Sequence, residues 1–353
     1  MFQTEGISVQ SSRLYKYFFL AILAATTVSC SNETKKKPVK NGVDAEILNL
    51  QDSTVRLYSV LSPLDQIKGI ESSFHLDIEV DSNGIFVRPL DLEEGYYILE
   101  HDHVRSLYFI QSGKRLSLDF DATKPSVQPN FSGQLKYESR YLYDRYLAHA
   151  QFSAKQSTYY SYSELDFVTE LTQVRGHLDT ALVMYIVNHP TGSTYFMEQE
   201  SLTNLYFMAA YLEAYASKRI ATEGNTTELS ISYFDVLNTL NVNDTKAVNN
   251  PEFYTFIQNH VWARSGAPVN TANVLHQITF VDSAFTVAYY QDYLRFQAAK
   301  EVTTWTGSEE RTAMLDTLSG LIQDADIQSF LIQNIQNDTA SLPIESQTIL
   351  EDQ

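Results

Sequence analysis

The class of fold is decided by residues 74–87, which read Phe-His-Leu-Asp-Ile-Glu-Val-Asp-Ser-Asn-Gly-Ile-Phe-Val. Apolar and polar residues alternate from Phe74 to Val80, which is the period of a strand with one buried face. The polar residues Asp81 to Gly84 have the composition of a tight turn, and the apolar run Ile85 to Val87 follows. The stretch predicts a β-hairpin, so we expect β-structure around it.

Further short apolar runs flank this hairpin, and polar turns separate them. They lie at Val55–Tyr58, Tyr96–Leu99, Leu107–Ile110 and Leu116–Phe120. Strands that recur about every 8–12 residues are typical of antiparallel sandwiches and open barrels. We therefore predict an antiparallel β-sandwich-like domain over residues 46–134.

The period of the sequence changes from strand to helix near residue 135. Ser163 to Asp166 resembles a capping box, and apolar residues then recur at helical spacing from Phe167 to Ile186. His189-Pro190 ends that helix. Further helices are expected to begin at Ser193, Asn250, Ser283, Ser308 and Asp324. We predict an all-α helical domain over residues 135–340 and a polar tail over 341–353, which makes the fold class α+β.

Residues 1–29 resemble a bacterial lipoprotein signal peptide that ends before Cys30. Arg13 and Lys16 precede an apolar core of about 11 residues, too short to span a hydrocarbon layer that needs roughly 20. Cleavage there would leave a lipid on Cys30, followed by a lysine-rich flexible tether over residues 30–45. We expect a lipid-anchored cell-envelope protein at the outer membrane, facing the periplasm, because Ser31 rather than Asp follows the cysteine. Exposure at the cell surface stays open.

Composition argues against some partners and chemistries. A formal net charge of −18 argues against nucleic acid, whose phosphates require a basic surface. With a single cysteine the chain forms no internal disulfide, and it lacks the second thiol that dithiol exchange requires. The 23 tyrosines and 19 phenylalanines indicate a packed aromatic core, and exposed rings that bind glycans are an alternative. No cofactor is predicted.

The sequence contains no recognisable catalytic motif. It lacks a Gly-x-Ser-x-Gly elbow and a Gly-rich phosphate loop, so no catalytic residue is predicted. His101 and His103 would point the same way in an extended strand, and they are the candidate metal ligands. Because no third ligand lies near them in the sequence, we interpret residues 100–103 as a polar connection between strands.

Four triplets of Asp, Ser or Thr, and a small or apolar residue resemble the acceptor motif of a bacterial O-glycosylation system. They are centred on Thr180, Ser283, Thr317 and Thr339. Because the motif is short, chance occurrence is the favoured interpretation. Thr339 is the candidate acceptor, since it lies close to the polar tail where exposure is expected.

The order of several short motifs resembles the N-terminal extension of TlpA-type lipoprotein thiol–disulfide oxidoreductases. The motifs are Gly84-x-Phe86, Gly95-Tyr96-Tyr97, Leu107 to Gly113, Phe131-Ser132-Gly133, His189-Pro190 and Asn250 to Tyr254. In that family a β-domain and a helical segment precede a thioredoxin domain. Its Trp-Cys-x-x-Cys motif would start after about residue 340, whereas this sequence reaches Gln353 without one. The resemblance therefore carries no catalytic residue over.

These observations predict a non-catalytic scaffold or binding module that contacts the membrane through its lipid and associates with a thioredoxin-like or client protein. The edges of the sheets and the β/α junction are the expected contact surfaces. One alternative is a truncated or split oxidoreductase whose thioredoxin domain is missing from this chain. Another is a glycan- or ligand-binding envelope lipoprotein. An unrecognised hydrolase would require a deep pocket with several convergent carboxylates or histidines.

Overall fold

The fold is α+β, as the sequence predicts: two β-sheets come first and a helical region follows. The computed structural model describes residues 42–70, 72, 74–102, 104–124, 127–223, 229–306 and 308–336. The last strand ends at Gly133 and the first long helix begins at Lys136, which is where the sequence changes period. The sheets and helices belong to one compact unit.

Each sheet has four strands. The strands are β1 Gly42–Leu48, β2 Thr54–Ser59, β3 His75–Glu79, β4 Ile85–Arg88, β5 Gly95–His101, β6 Val104–Ile110, β7 Arg115–Asp121 and β8 Asn130–Gly133, with a short helix α1 Pro63–Ile67 after β2. The spatial order is β4-β1-β7-β8 in one sheet and β3-β2-β5-β6 in the other. Their facing sides share one hydrophobic core, in which Val43, Val55 and Leu118 are almost fully buried.

Strand β1 corrects two expectations from the sequence. It begins at Gly42, inside the range 30–45 assigned to the tether, so the folded part starts before residue 46. It also runs parallel to β7, with Val43 opposite Leu116, so the first sheet is mixed rather than wholly antiparallel. The physical reason is burial: β1 lies between β4 and β7, and Val43, Ala45 and Ile47 point into the core.

The hairpin expected over residues 74–87 is also corrected. The turn exists, since Asp81 accepts hydrogen bonds from the backbone N–H groups of Asn83 and Ile85 at 2.9 and 2.8 Å. The two strands that it joins pair elsewhere, however: β3 with β2, and β4 with β1. Gly84 lies in the turn between the two sheets with φ +76°. Glycine is required there, because a Cβ would overlap the carbonyl of Ile47.

The helical region follows β8. Its helices are α2 Lys136–Ser153, α3 Gln156–Tyr159, α4 Glu164–Asn188, α5 Thr194–Glu223, α6 Ile231–Asn238, α7 Pro251–Ser265, α8 Thr271–Ala284, α9 Ala288–Thr303, α10 Ser308–Leu321 and α11 Ala325–Gln336. The predicted caps at Ser163, Ser193 and Asn250 form, each side chain accepting from the backbone N–H three residues on. No helix in the described ranges is both long enough and apolar enough to cross a membrane.

Ser283 does not open a helix, contrary to the sequence prediction. It lies near the end of α8, and its hydroxyl donates to the carbonyl of Phe280 at 2.9 Å. The next helix, α9, begins at Ala288 after an extended link in which Phe285 is buried. The sequence does not distinguish the two positions, because a Ser hydroxyl that can cap a helix can also bond back to a carbonyl inside one.

A third apolar cluster joins the sheets to the helices. Phe109 of β6 is fully buried, and its ring centroid lies 4.9 Å from that of Phe196 in α5. The other buried residues of the cluster are Tyr141 and Leu142 of α2 and Leu182 and Tyr185 of α4. The outer face of the second sheet is therefore covered by α2, α4 and α5, and this arrangement positions the site described next.

Candidate functional site

A cavity of about 270 Å³ lies where the sheets meet the helices. Its walls are β5 and β6, the segment between β7 and β8, helix α2, and the N-terminal turns of α5 and α7. The lining includes Tyr96, Leu107, Tyr108, Val127, Phe131, Tyr143, Arg145, Tyr146, His149, Glu200, Thr203, Asn249, Asn250 and Glu252. It combines apolar and aromatic walls with a few polar groups, which is the composition expected of a ligand site.

The cavity follows the edge of β6, the last strand of its sheet. Tyr108 packs in the core between the sheets and Leu107 packs towards the helices, yet both line the cavity. Among the described strands, β6 forms a ladder with β5 alone and β8 with β7 alone. The cavity is therefore the place where the two sheets do not join, and α2 contacts both strands there.

Aromatic rings form the apolar part of the lining. The ring of Phe131 on β8 lies 6.3 Å from that of Tyr108 and 6.5 Å from that of Tyr143, both edge to face. Tyr146 lies nearly one turn beyond Tyr143 on α2 and also lines the cavity. Rings in this arrangement offer both faces and edges to a ligand.

A buried ion pair forms one side of the cavity. Nη1 of Arg145 lies 3.1 Å from Oε2 of Glu200, and the hydroxyl of Tyr96 donates to Oε1 of Glu200 at 2.6 Å. Glu200 is fully buried, and burial raises the pKa of its carboxyl although the Arg145 guanidinium opposes the rise. Burial and the Glu200 charge raise the pKa of Tyr96 well above 10.0, so this phenol remains a donor.

A histidine and a second carboxyl lie further along α2. The Nδ1 atom of His149 is 3.8 Å from Oε1 of Glu252, and its ring stacks on Phe207 with centroids 3.7 Å apart. Burial and the Arg145 cation lower the pKa of His149 well below 6.5, so the imidazole is neutral. Burial raises the pKa of Glu252 to about 7 although Arg145 opposes it. The Nε2 atom of His149 is buried and has no hydrogen-bond partner in the described residues.

Asn250 fixes the position of Glu252. Its Nδ2 donates to Oγ1 of Thr203 at 2.9 Å, and its Oδ1 accepts from the N–H of Phe253 at 3.3 Å. The side chain therefore caps α7 and ties it to α5 at the same time. Because Pro251 occupies the first turn and presets its backbone, Glu252 is held at the cavity by a rigid helix start.

The predicted site residues are placed apart from this cavity or outside the described ranges. Cys30, His103 and Thr339 lie outside the described residues. His101 is fully buried at the end of β5, with Nδ1 3.1 Å from the carbonyl oxygen of Thr54. Within the described ranges no group of three or more His, Cys, Asp or Glu residues could hold a metal ion.

Exposed tyrosines are scarce. Of the tyrosines in the described ranges, Tyr137 alone is exposed, at 44%, and the others are buried or half-buried. A ridge of coplanar exposed rings, the arrangement that would favour glycan binding on the surface, is therefore not formed by these residues. The rings of Tyr143 and Tyr146 are half-buried and line the cavity instead.

Sequence reasoning did not find Arg145, His149 or Glu200 as site residues. Arg145 and His149 are four residues apart, which places them on one face of α2, but this spacing is common on helices and specifies no chemistry by itself. Their partners lie on α5 and α7, more than 50 residues away in the sequence. The sequence predicts a contact surface at the β/α junction, and the cavity lies there.

Comparison with known proteins finds no match, so the function of this chain is argued from its own residues. No family model matches the chain, and no curated protein or solved structure matches it. A relationship to the TlpA-type extension, which the order of motifs resembles, is thus an expectation from the sequence alone.

Proposed function

We propose that this protein is a lipid-anchored, non-catalytic binding module of the cell envelope, and that its ligand occupies the cavity at the junction of sheets and helices. The observation that carries the proposal is the course of the cavity along the unjoined edge of β6, with aromatic rings opposite. A strand edge offers backbone N–H and C=O groups to an extended segment, and the rings provide contacts for its side chains.

The proposed ligand is an extended peptide segment of a partner protein. The cavity is small and mostly apolar, so it suits two or three residues of such a segment rather than a folded surface. The polar groups suit an uncharged segment: Arg145 is paired with Glu200, His149 is neutral, and the raised pKa of about 7 leaves the Glu252 carboxyl partly protonated at neutral pH. The sequence resemblance names the class of partner that we propose, a thioredoxin-like oxidoreductase or its client.

Two substitutions at the rim test the site without disturbing the core. Val127 and Asn249 line the cavity and are exposed, so Val127→Trp and Asn249→Trp should obstruct it while the protein still folds. Val269→Trp and Asn238→Trp are matched controls at exposed positions that do not line the cavity. The full-length protein is purified from membranes in mild detergent, and bound protein is measured by quantitative mass spectrometry.

The proposal expects one partner to be recovered with the wild type and both controls and to be depleted in both rim variants. Equal recovery in all five proteins would exclude the cavity as the binding site. A partner that is depleted by the rim variants but has no Cys-x-x-Cys motif, and is no substrate of such a protein, would keep the binding site and remove the association with thioredoxin-like proteins.

A second candidate function, a hydrolase, is favoured by Glu252. A carboxyl with a pKa of about 7 beside a neutral histidine can take up and release protons at neutral pH, which is the property of a general acid or base. The test is turnover of a panel of esters, glycosides and peptides by the purified protein. Activity that Glu252→Gln abolishes, with unchanged stability, would favour the hydrolase; turnover that the substitution leaves intact would exclude this role for Glu252.

A further inference from the structure

The C-terminal end of α4 is apolar on all sides. Leu182 and Tyr185 point into the cluster that joins the sheets to the helices. On the opposite side Val183, Met184, Ile186 and Val187 are 56, 55, 38 and 67% exposed. We call these four residues the apolar helix end. A helix that is apolar all round is normally buried on all sides. Here one side is exposed, so no described residue covers it.

The concentration of exposed apolar side chains distinguishes this surface. Single exposed hydrophobic residues are ordinary on protein surfaces, whereas contiguous groups mark contact sites. Among the helix side chains whose burial the structure describes, no other helix carries more than one large hydrophobic side chain that is exposed. The apolar helix end is therefore expected to contact something other than water.

The apolar helix end lies on the side where the chain enters the fold. Gly42, the first described residue, pairs with Arg115, whose carbonyl accepts from the N–H of Leu135 at 3.1 Å. Leu135 leads directly into α2, and the ring of Tyr137 in its first turn lies 3.9 Å from the ring of His189. His189 is the residue that caps α4, two positions after Val187.

The length of chain before Gly42 limits how far this end can lie from a membrane. About 11 residues, 31–41, separate Cys30 from Gly42, and a fully extended chain of that length reaches at most about 40 Å. A lipid on Cys30 would therefore keep the entry side of the fold within about 40 Å of the bilayer, so that the apolar helix end can reach the bilayer surface.

We propose that the apolar helix end docks on the lipid surface, so that the anchored protein lies against the membrane in one orientation. This inference rests on the lipid anchoring in the proposed function. The side chains would enter the boundary between headgroups and acyl chains, as the apolar face of an interfacial helix does. Beside them Tyr137 is 44% exposed and the Lys136 ammonium lies 4.7 Å from its ring centroid, a pair that suits the headgroup region.

The single cysteine makes a direct test possible. If Cys30 carries the lipid, a cysteine introduced by Val187→Cys is the one thiol that a spin label can modify. The lipidated full-length variant is reconstituted in vesicles of phosphatidylethanolamine and phosphatidylglycerol. Collision with oxygen and with a water-soluble nickel complex is then measured by electron paramagnetic resonance. Ala272→Cys, at an exposed position on α8, is the control.

Docking predicts an oxygen-to-nickel collision ratio at position 187 that is severalfold higher than at position 272. Adding Val183→Asp to the Val187→Cys variant should return the ratio to the control value. Adding Leu165→Asp, at a 75% exposed position near the other end of α4, should leave it high. A label at 187 that is as accessible to nickel as the label at 272 would overturn the proposal.

Two further outcomes distinguish a failure of lipid docking from a failure of the lipid anchor. Spin–spin coupling between labels at position 187 would show that a second copy of the chain covers the apolar helix end, and would overturn lipid docking while leaving the anchor intact. Recovery of the wild type in the soluble fraction, with Cys30 open to labelling, would overturn the anchor and the docking that rests on it.

Discussion

The hydroxyl of Tyr96 donates a 2.6 Å hydrogen bond to Oε1 of Glu200 and so joins β5 of the second sheet to helix α5. Glu200 is fully buried and also faces the Arg145 guanidinium from α2. One carboxylate therefore ties three elements together at the wall of the cavity. Because a charged acceptor is removed from water there, each donor to it should matter for stability.

Tyr96→Phe should lower the free energy of unfolding by about 2 kcal/mol, the usual effect of losing a hydrogen bond to a charged group. The ring remains, so packing against Phe109 and Phe196 is kept. Urea unfolding of the purified protein measures the change. Tyr137→Phe, on an exposed ring, is the control and should change the value by less than about 0.5 kcal/mol. Equal values for both variants would show that the Tyr96–Glu200 bond adds no stability.

Glu252 and His149 should give opposite pH dependences of stability. Burial raises the pKa of Glu252 from 4.5 to about 7, so its contribution is full below 4.5 and is lost as the pH rises through 7. Burial and Arg145 lower the pKa of His149, so its contribution is present above 6.5 and is lost as the pH falls below that value. The two slopes overlap below pH 6.5 and oppose each other there.

Removing each group should change the slope of the free energy of unfolding against pH, relative to the wild type. In His149→Phe the slope should become more negative below about pH 6.5, by at most about 1.4 kcal/mol per pH unit. In Glu252→Gln it should become more positive between pH 4.5 and about pH 7. Urea titrations of the wild type and both variants at several pH values measure the two changes. Changes of the same sign in the two variants would contradict the assigned shifts.

Much of the fold could be predicted from the sequence because local patterns determine it. The alternation in β3 and the caps at Ser163, Ser193 and Asn250 are local signals, and the structure contains them. Strand pairing is not local: β3 and β4 look like a hairpin in the sequence but enter different sheets. The parallel pairing of β1 with β7 is likewise set by burial between distant segments.

Only the location of the candidate site could be predicted from the sequence. Its polar groups come from α2, α5 and α7, and no sequence spacing brings Arg145 to Glu200 or His149 to Glu252. Their chemistry arises from burial, which shifts pKa values only after the elements pack. Asn250-Pro251 was recognisable as a helix start, but the role of the next residue depends on the contact of that helix with α5.

Phe109→Ala should weaken the attachment of the sheets to the helices. The side chain is fully buried between Tyr96 and Phe196, and truncating a buried phenylalanine costs about 3–5 kcal/mol. Urea unfolding followed by circular dichroism measures the loss. Leu48→Ala, at a 52% exposed position, should have little effect. A loss below about 1 kcal/mol for Phe109→Ala would show that this cluster is not what holds the sheets to the helices.

Asp44→Ala should destabilise the parallel pair of strands. Asp44 is 2% exposed and accepts from Nε of Arg115 and Oγ of Ser117, both at 2.6 Å. Its loss leaves Arg115 without its carboxylate and should cost roughly 2–3 kcal/mol, since Arg115 keeps some contact with water. Asp119→Ala, on a half-buried carboxylate of β7, is the comparison. Hydrogen exchange should show the loss of protection in β1 first, and uniform loss across the protein would contradict a local role.

The central claim, that the junction cavity holds a ligand in the cell envelope, is tested most directly by photo-crosslinking in intact cells. A photoreactive phenylalanine derivative is placed at Tyr146 in the cavity or at the exposed Ala272. We predict a discrete adduct from position 146 that is absent at position 272 and is lost when Val127→Trp is added. No adduct at 146, or an adduct that Val127→Trp leaves unchanged, would contradict the claim.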